Sequence, residues 1–295
     1  MLFYPLNINS IYDYKKHIFG EKMNTNPLKQ YFRRPSIYIK LPSGGNYYPE
    51  GAIDLPDNKE IPIYPMTAID EITSKTPDAL FNGIAVIEII KSCVPNIKDP
   101  WAIPSIDLDA ILISIRAATN GNMLDVESVC PSCSEDASYN INLVGLLSKL
   151  KPEYEDVIKI NELTIKFKPL SYKKVNEINL VQFEIEKTIR NIETITDGEE
   201  RLQISTQAMK KLTELSMTLI TETIDSISTP TEIVMEKEHI NDFLRNSDKN
   251  TFDILKNTAI KLRESSQLKP LQVKCIHCQH EYEQTLTLNV TDFFD

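Results

Sequence analysis

Two stretches far apart in the chain, ESVCPSCSEDASYNINL and QVKCIHCQHEYEQTLTL, each carry a CxxC pair. Two thiolates separated by two residues can reach one ion from a tight turn, and two such turns complete a tetrahedron. Cys130, Cys133, Cys275 and Cys278 are therefore the candidate ligands of a single metal ion. Thiolate is a soft ligand that selects zinc over harder cations, and four protein ligands leave no open position for an activated water. The set predicts one structural Zn2+ per chain, and the residues between the two pairs must form a closed excursion. The halves also match beyond their cysteines. Counted from the first cysteine of each pair, Ile141 and Leu286 share offset eleven, and Leu143 and Leu288 share offset thirteen. This is the pattern of two knuckles feeding two equivalent strands, a zinc ribbon split by an insertion.

Other readings of the cysteines stay open at this point. They could form two separate redox pairs, remain reduced without metal, or hold an iron–sulfur cluster, although the βαβ context of a thioredoxin-like CxxC is missing. His277 and His280 lie in and beside the second knuckle, so either could replace a thiolate. Cys93, in the apolar stretch IEIIKSCVP, is expected to be a small buried residue and not a fifth ligand.

Charge narrows the partners. The formal net charge is -10, and no Lys or Arg lies between residues 120 and 145, where Asp125, Glu127, Glu135 and Asp136 surround the first knuckle. Lys269 and Lys274 near the second are offset by Glu281 and Glu283. Phosphate binding needs cations at the contact, so nucleic acid is not expected as a partner. In residues 1–34 the balance reverses: Lys15, Lys16, Lys22, Lys29, Arg33 and Arg34 outnumber Asp13 and Glu21. The opening MLFYPLNINSIYDYKK lacks the order of a signal peptide, and the apolar run around Gly83 to Ile90 is interrupted by Glu88 and too short to span a bilayer. Neither export nor a membrane is expected, which again favours metal over disulfides.

The hydrophobic pattern predicts an α+β architecture: a small β-rich unit with short helices, the split four-cysteine zinc ribbon, and an inserted helical lobe. Residues 1–34 read as an extended arm, 35–150 as the β-rich unit with the first knuckle, 151–268 as the lobe, and 269–295 as the second knuckle with a terminal strand and tail. Ile37, Ile39 and Leu41 alternate with polar neighbours as in a strand, and further short strands are expected through IDLPDNKEIPIYPM. Helices are expected over 67–75, 78–92 and 105–119, and in the lobe from about 171, over about 199–226, 236–245 and 250–264, with a strand at Leu163, Ile165 and Phe167. Their apolar stripes read as core packing between helices.

Catalytic motifs are missing: there is no GxSxG, HExxH, GxxxxGK(S/T) or GxGxxG, and the histidines are too few for a triad. Carboxylate pairs such as Asp70 with Glu71 and Asp107 with Asp109 read as solvated surface or helix starts. No enzyme is expected.

The segments LPSGGNYYPEG, IPIYPMTAIDEI, an apolar helix, SIDLDAILISIRAATNGN and VCPSC, in that order over about residues 35–150, resemble the baseplate hub and hub assembly proteins of T-even-type contractile-tailed bacteriophages. The resemblance implies a non-enzymatic scaffold in the virion tail baseplate, assembled in the host cytoplasm. Its partners would be other baseplate or tail-tube proteins in a higher-order assembly, with the arm 1–34 and the terminal NVTDFFD suited to wrapping neighbours. A hub assembly chaperone absent from the finished particle and a zinc-ribbon nucleic-acid-binding regulator are the alternatives.

Overall fold

The structure is a computed structural model, and it describes residues 26–75, 83–150, 156–192, 197–265 and 268–286. The expected tail 289–295, Leu288, most of the arm and the first residues of the 78–92 helix lie outside these. The chain divides into two units, residues 1–34 and 35–295. In the first, a 3-10 helix Pro27–Tyr31 begins at Asn26, whose side chain accepts the Leu28 N–H at 2.9 Å, and it leaves Leu28, Tyr31 and Phe32 exposed.

The second unit holds two apolar cores. Strands β1 (Ile37–Lys40) and β2 (Glu60–Ile63) pair antiparallel with Ile37 opposite Ile63 and Ile39 opposite Ile61. Leu41, expected to continue β1, is buried just past its end. The 41–59 loop needs glycine at Gly45, where φ is 86° and an added Cβ would lie 2.5 Å from Leu55. Helix α1 (Ala68–Ser74) starts with a capping box: Asp70 accepts the Thr67 N–H at 2.7 Å, and Thr67 accepts the Asp70 N–H at 3.3 Å. Asp70 also accepts the Ser92 hydroxyl at 3.0 Å, which ties α1 to α2 (Ile84–Cys93). Helix α2 is buried on nearly every side, through Ala85, Val86, Ile87, Ile89, Ile90 and Cys93, so Cys93 is a core residue. The third helix, α3 (Ser105–Asn120), packs Ile111, Ile113 and Ile115 into the same core. Hairpin β3 (Met123–Val129) and β4 (Asp136–Asn142) follows, and then the short α4 (Leu143–Leu147).

Asp107 stands at a helix start, in the first turn of α3, but its carboxylate is not solvated. It is fully buried, and its carboxylate accepts the Ser43 N–H at 2.7 Å and the Ser43 hydroxyl at 2.6 Å. The short polar helix start faces the 41–59 loop instead of water. Burial raises its pKa to about 6 against the hydrogen bonds from Ser43.

The region between the knuckles contains, besides its helices, a four-stranded antiparallel sheet. Its strands are β5 (Val157–Ile160), β6 (Leu163–Phe167), β7 (Ile224–Ser228) and β8 (Ile233–Val234), in that spatial order. Helices α5 (Tyr172–Ile192) and α6 (Gly198–Thr223) form a long hairpin, and α7 (Lys237–Asn246) and α8 (Lys249–Ser265) complete the lobe. Ile165, Phe167, Ile220, Ile224, Ile240, Leu244 and Leu255 build its core.

The expected helix 199–226 ends at Thr223. No glycine or proline marks that end; the strand pairing of Ile227 with Ile165 and Ile224 with Phe167 wins over helical continuation. Lys237 fastens the boundary, because its Nζ donates to the carbonyls of Thr221 at 3.1 Å and Ile224 at the helix C-terminus.

The lobe is anchored to the first core at its entry and exit. On entry, Ser105 N–H donates to Leu170 at 2.8 Å, Tyr172 N–H donates to Ile103 at 2.7 Å, and the Tyr172 ring stacks on Trp101 at 5.5 Å. Gly83 sits under this contact, where a Cβ would meet the Tyr172 hydroxyl at 2.8 Å. On exit, Leu268, Leu271 and Leu286 pack on the first core. The second hairpin, β9 (Leu271–Lys274) and β10 (Glu281–Gln284), closes the described chain.

Candidate metal centre

The two CxxC turns share one pattern of backbone hydrogen bonds. In the first, Cys130 N–H donates to Glu135 at 3.0 Å and Ser134 N–H donates back to Cys130 at 2.9 Å. In the second, Cys275 N–H donates to His280 at 2.9 Å and Gln279 N–H donates to Cys275 at 3.0 Å. Ser134 and Gln279, each four residues after the first cysteine, take left-handed φ of 60° and 62°. The flanking pairs also correspond, Val129 with Asp136 and Lys274 with Glu281. A tight turn on a hairpin thus aims both sulfurs of each pair off the end of the ribbon.

The folds of the two hairpins bring all four sulfurs together. Cys130 Sγ lies 3.7 Å from Cys278 Sγ, Cys133 Sγ lies 3.7 Å from Cys275 Sγ, and all four sit within 4.8 Å of one another. A tetrahedron with Zn–S bonds of about 2.3 Å has S–S edges of about 3.8 Å. The donors therefore fit a four-coordinate ion, and the cluster could hold a metal. Four sulfurs this close cannot all ionise without a cation between them. Backbone N–H groups of Cys278 and His277 favour the Cys275 thiolate and bring its pKa down to about 6. At Cys133 the Glu135 amide favours the thiolate, but burial and the other three sulfurs together outweigh it and push the pKa up to about 12.

The histidines stand apart from the sulfur cluster. A ring nitrogen of His277 lies 3.3 Å from the Asp136 carbonyl, where it bridges the two knuckles, and the His280 ring stacks on Tyr282 at 6.3 Å. Cys130 and Cys275 are buried, whereas Cys278 is exposed, so one flank of the centre faces solvent.

A polar bridge between the hairpins completes the arrangement and does not follow from the cysteine spacing. Ser128 and Tyr282 share a hydrogen bond of 2.9 Å, Ser128 also donates to Gln284, and Tyr139 donates to the Lys274 carbonyl at 3.2 Å. The Tyr139 and Tyr282 rings meet edge to face at 6.5 Å. The available signal was the run of large or polar residues at alternating strand positions beside each CxxC. The equivalence of the strands is limited: β4 runs through Ile141, but β10 stops at Gln284, and Leu286 lies beyond it.

Asp70, Glu71, Asp107 and Asp109 do not gather at this centre; Asp70 caps α1, Asp107 holds Ser43, and Asp109 accepts a backbone bond from Leu268. Among the described residues, no helix is long and apolar enough to cross a membrane. No curated protein and no solved structure gave a significant match. A family model described as T4 bacteriophage base plate protein matches residues 48–295, which takes in both cysteine hairpins, the lobe core, all of the first core except Leu41 and strand β1, and all four cysteines. The chain belongs to this family of T4 bacteriophage base plate proteins.

Proposed function

We propose that the protein is a structural component of the phage tail baseplate hub, which acts by protein–protein scaffolding and is held in shape by one Zn2+ on Cys130, Cys133, Cys275 and Cys278. The family match over residues 48–295 is the observation that carries the baseplate reading, and the geometry of the sulfur cluster supports the metal. Zinc suits an all-sulfur tetrahedral set without an open position, and such a site stabilises structure instead of activating water. In this reading residues 35–150 and the terminal ribbon form the scaffold, residues 151–268 are a lobe carried on it, and the metal closes the loop that the lobe occupies. The partners are other baseplate or tail-tube proteins, and the basic, aromatic arm 1–34 is one point of attachment. The absence of catalytic motifs and the use of the polar clusters for capping and bridging fit a non-enzymatic role.

Mass spectrometry of purified virions is the deciding experiment. The chain should be found at a fixed ratio to other baseplate proteins. Its presence in infected cells but absence from virions would replace this reading with that of an assembly chaperone. In the same system, deletion of residues 1–34 should leave a folded protein that no longer enters tails.

A further inference from the structure

The α5–α6 hairpin has a groove of about 640 Å3 along one face, floored by Ile178, Val181, Ile185 and Leu215. Val181 is 41% exposed there, although it sits between buried Ile178 and Ile185 on the same helix. Two antiparallel helices bury only one side of each stripe; a layer of further helices normally covers the other.

The groove walls differ in charge. At the base, Lys174 bonds Glu177 at 3.0 Å and Glu222 at 3.3 Å, and Glu214 pairs with Arg245, so those groups answer one another within the chain. Toward the tip, the α5 wall carries Glu184 and the α6 wall carries Lys211 together with Lys210, which also faces Glu214 one turn along its own helix. Glu184 lies about 12 Å from the tip end of α5 and Lys210 about 18 Å from that of α6, at a rise of about 1.5 Å per residue. The offset of one helical turn is within reach of a lysine side chain.

We infer that this face docks on a second copy of the same chain, as an antiparallel four-helix bundle related by a two-fold axis along the hairpin. That axis lays α5 of one protomer over α6 of its partner, so Glu184 meets the partner's lysines twice, once on each side. A single foreign helix in the groove would have to carry opposite charges on its two flanks, whereas a second copy supplies them by symmetry. The hairpin face is about 31 Å long and two helices, or about 20 Å, wide. It would bury about 1,200 Å2 in total, at the lower end of specific interfaces. The dimer should therefore come apart on dilution. The inference does not depend on the metal or on the hub assignment.

Light scattering on the full chain after size exclusion tests it. The native protein should move from monomer to dimer mass as its concentration rises through the micromolar range. Glu184→Lys alone and Lys210→Glu/Lys211→Glu alone should each remain monomeric, with at least tenfold weaker association, and an equimolar mixture of the two should regain dimer mass. Val181→Asp, on the exposed floor, is a second route to the monomer, and circular dichroism checks that each variant keeps its helices. A native chain that stays monomeric, charge variants that dimerise normally, or a mixture that fails to recover would each overturn the inference.

Discussion

At Ser134 and Gln279 the backbone takes a left-handed conformation that costs a side chain with a Cβ about 1 kcal/mol. Both knuckles accept this cost at the same offset, which ties the conformation to the closing of the sulfur turn. Replacing either residue by glycine should be neutral or should stabilise the protein by up to about 1 kcal/mol in urea denaturation, because relief of strain exceeds the added chain entropy. Glycine at Gly45 is the reverse case: Gly45→Ala should cost more than about 1 kcal/mol, since φ and the Leu55 contact both oppose a Cβ. Asp107 gives a pH dependence. Its folded pKa of about 6 lies above the ordinary carboxyl value, so the folded state holds the proton more tightly. The associated stability is fully present below about pH 4 and lost as pH rises to about 6, on the order of 2–3 kcal/mol. Denaturation at both pH values should show that loss in the native chain, and Asp107→Asn should remove it from the difference. The sulfur cluster was legible because CxxC is a covalent-spacing signal that needs no tertiary information to pair its thiols. The buried role of Asp107 was not, because an acid at a helix start looks the same whether it faces water or a distant loop of the chain.

Elements with strong local signals appear where the pattern puts them. Thr67 with Asp70 begins α1, the apolar stripe after Ser171 begins α5, and alternation at Leu163, Ile165 and Phe167 gives β6. The failures share one cause. Helix α6 turns into strand β7 where β6 offers hydrogen bonds and Lys237 caps the last carbonyls, and neither partner is local in sequence. The Lys237→Met variant keeps the aliphatic stem but leaves those carbonyls uncapped. It should lower stability by about 1–2 kcal/mol, measured by thermal or chemical unfolding, without changing the zinc content.

For the whole molecule, the lobe is carried between two attachments of different kinds. The entry is apolar and aromatic, through Tyr172 on Trp101; the exit depends on a small hairpin held by the sulfur cluster and the Tyr139, Tyr282 and Ser128 bridge. Two-stranded hairpins are marginal alone, so a metal on the four sulfurs would contribute folding free energy to the entire excursion. Because a flank of the centre near Cys278 is exposed, chelation should proceed without prior global unfolding. Hydrogen exchange after chelation should rise first in residues 271–284 and in β3–β4, while the core of α2 and α3 stays protected. Uniform exchange across both cores would contradict the clasp. The most direct measurement is native mass spectrometry of the full chain purified under reducing conditions, combined with elemental analysis. One zinc ion per chain, lost in Cys130→Ser and in Cys275→Ser, is the predicted result. A folded protein that contains no zinc, or retains it in both variants, would contradict the account.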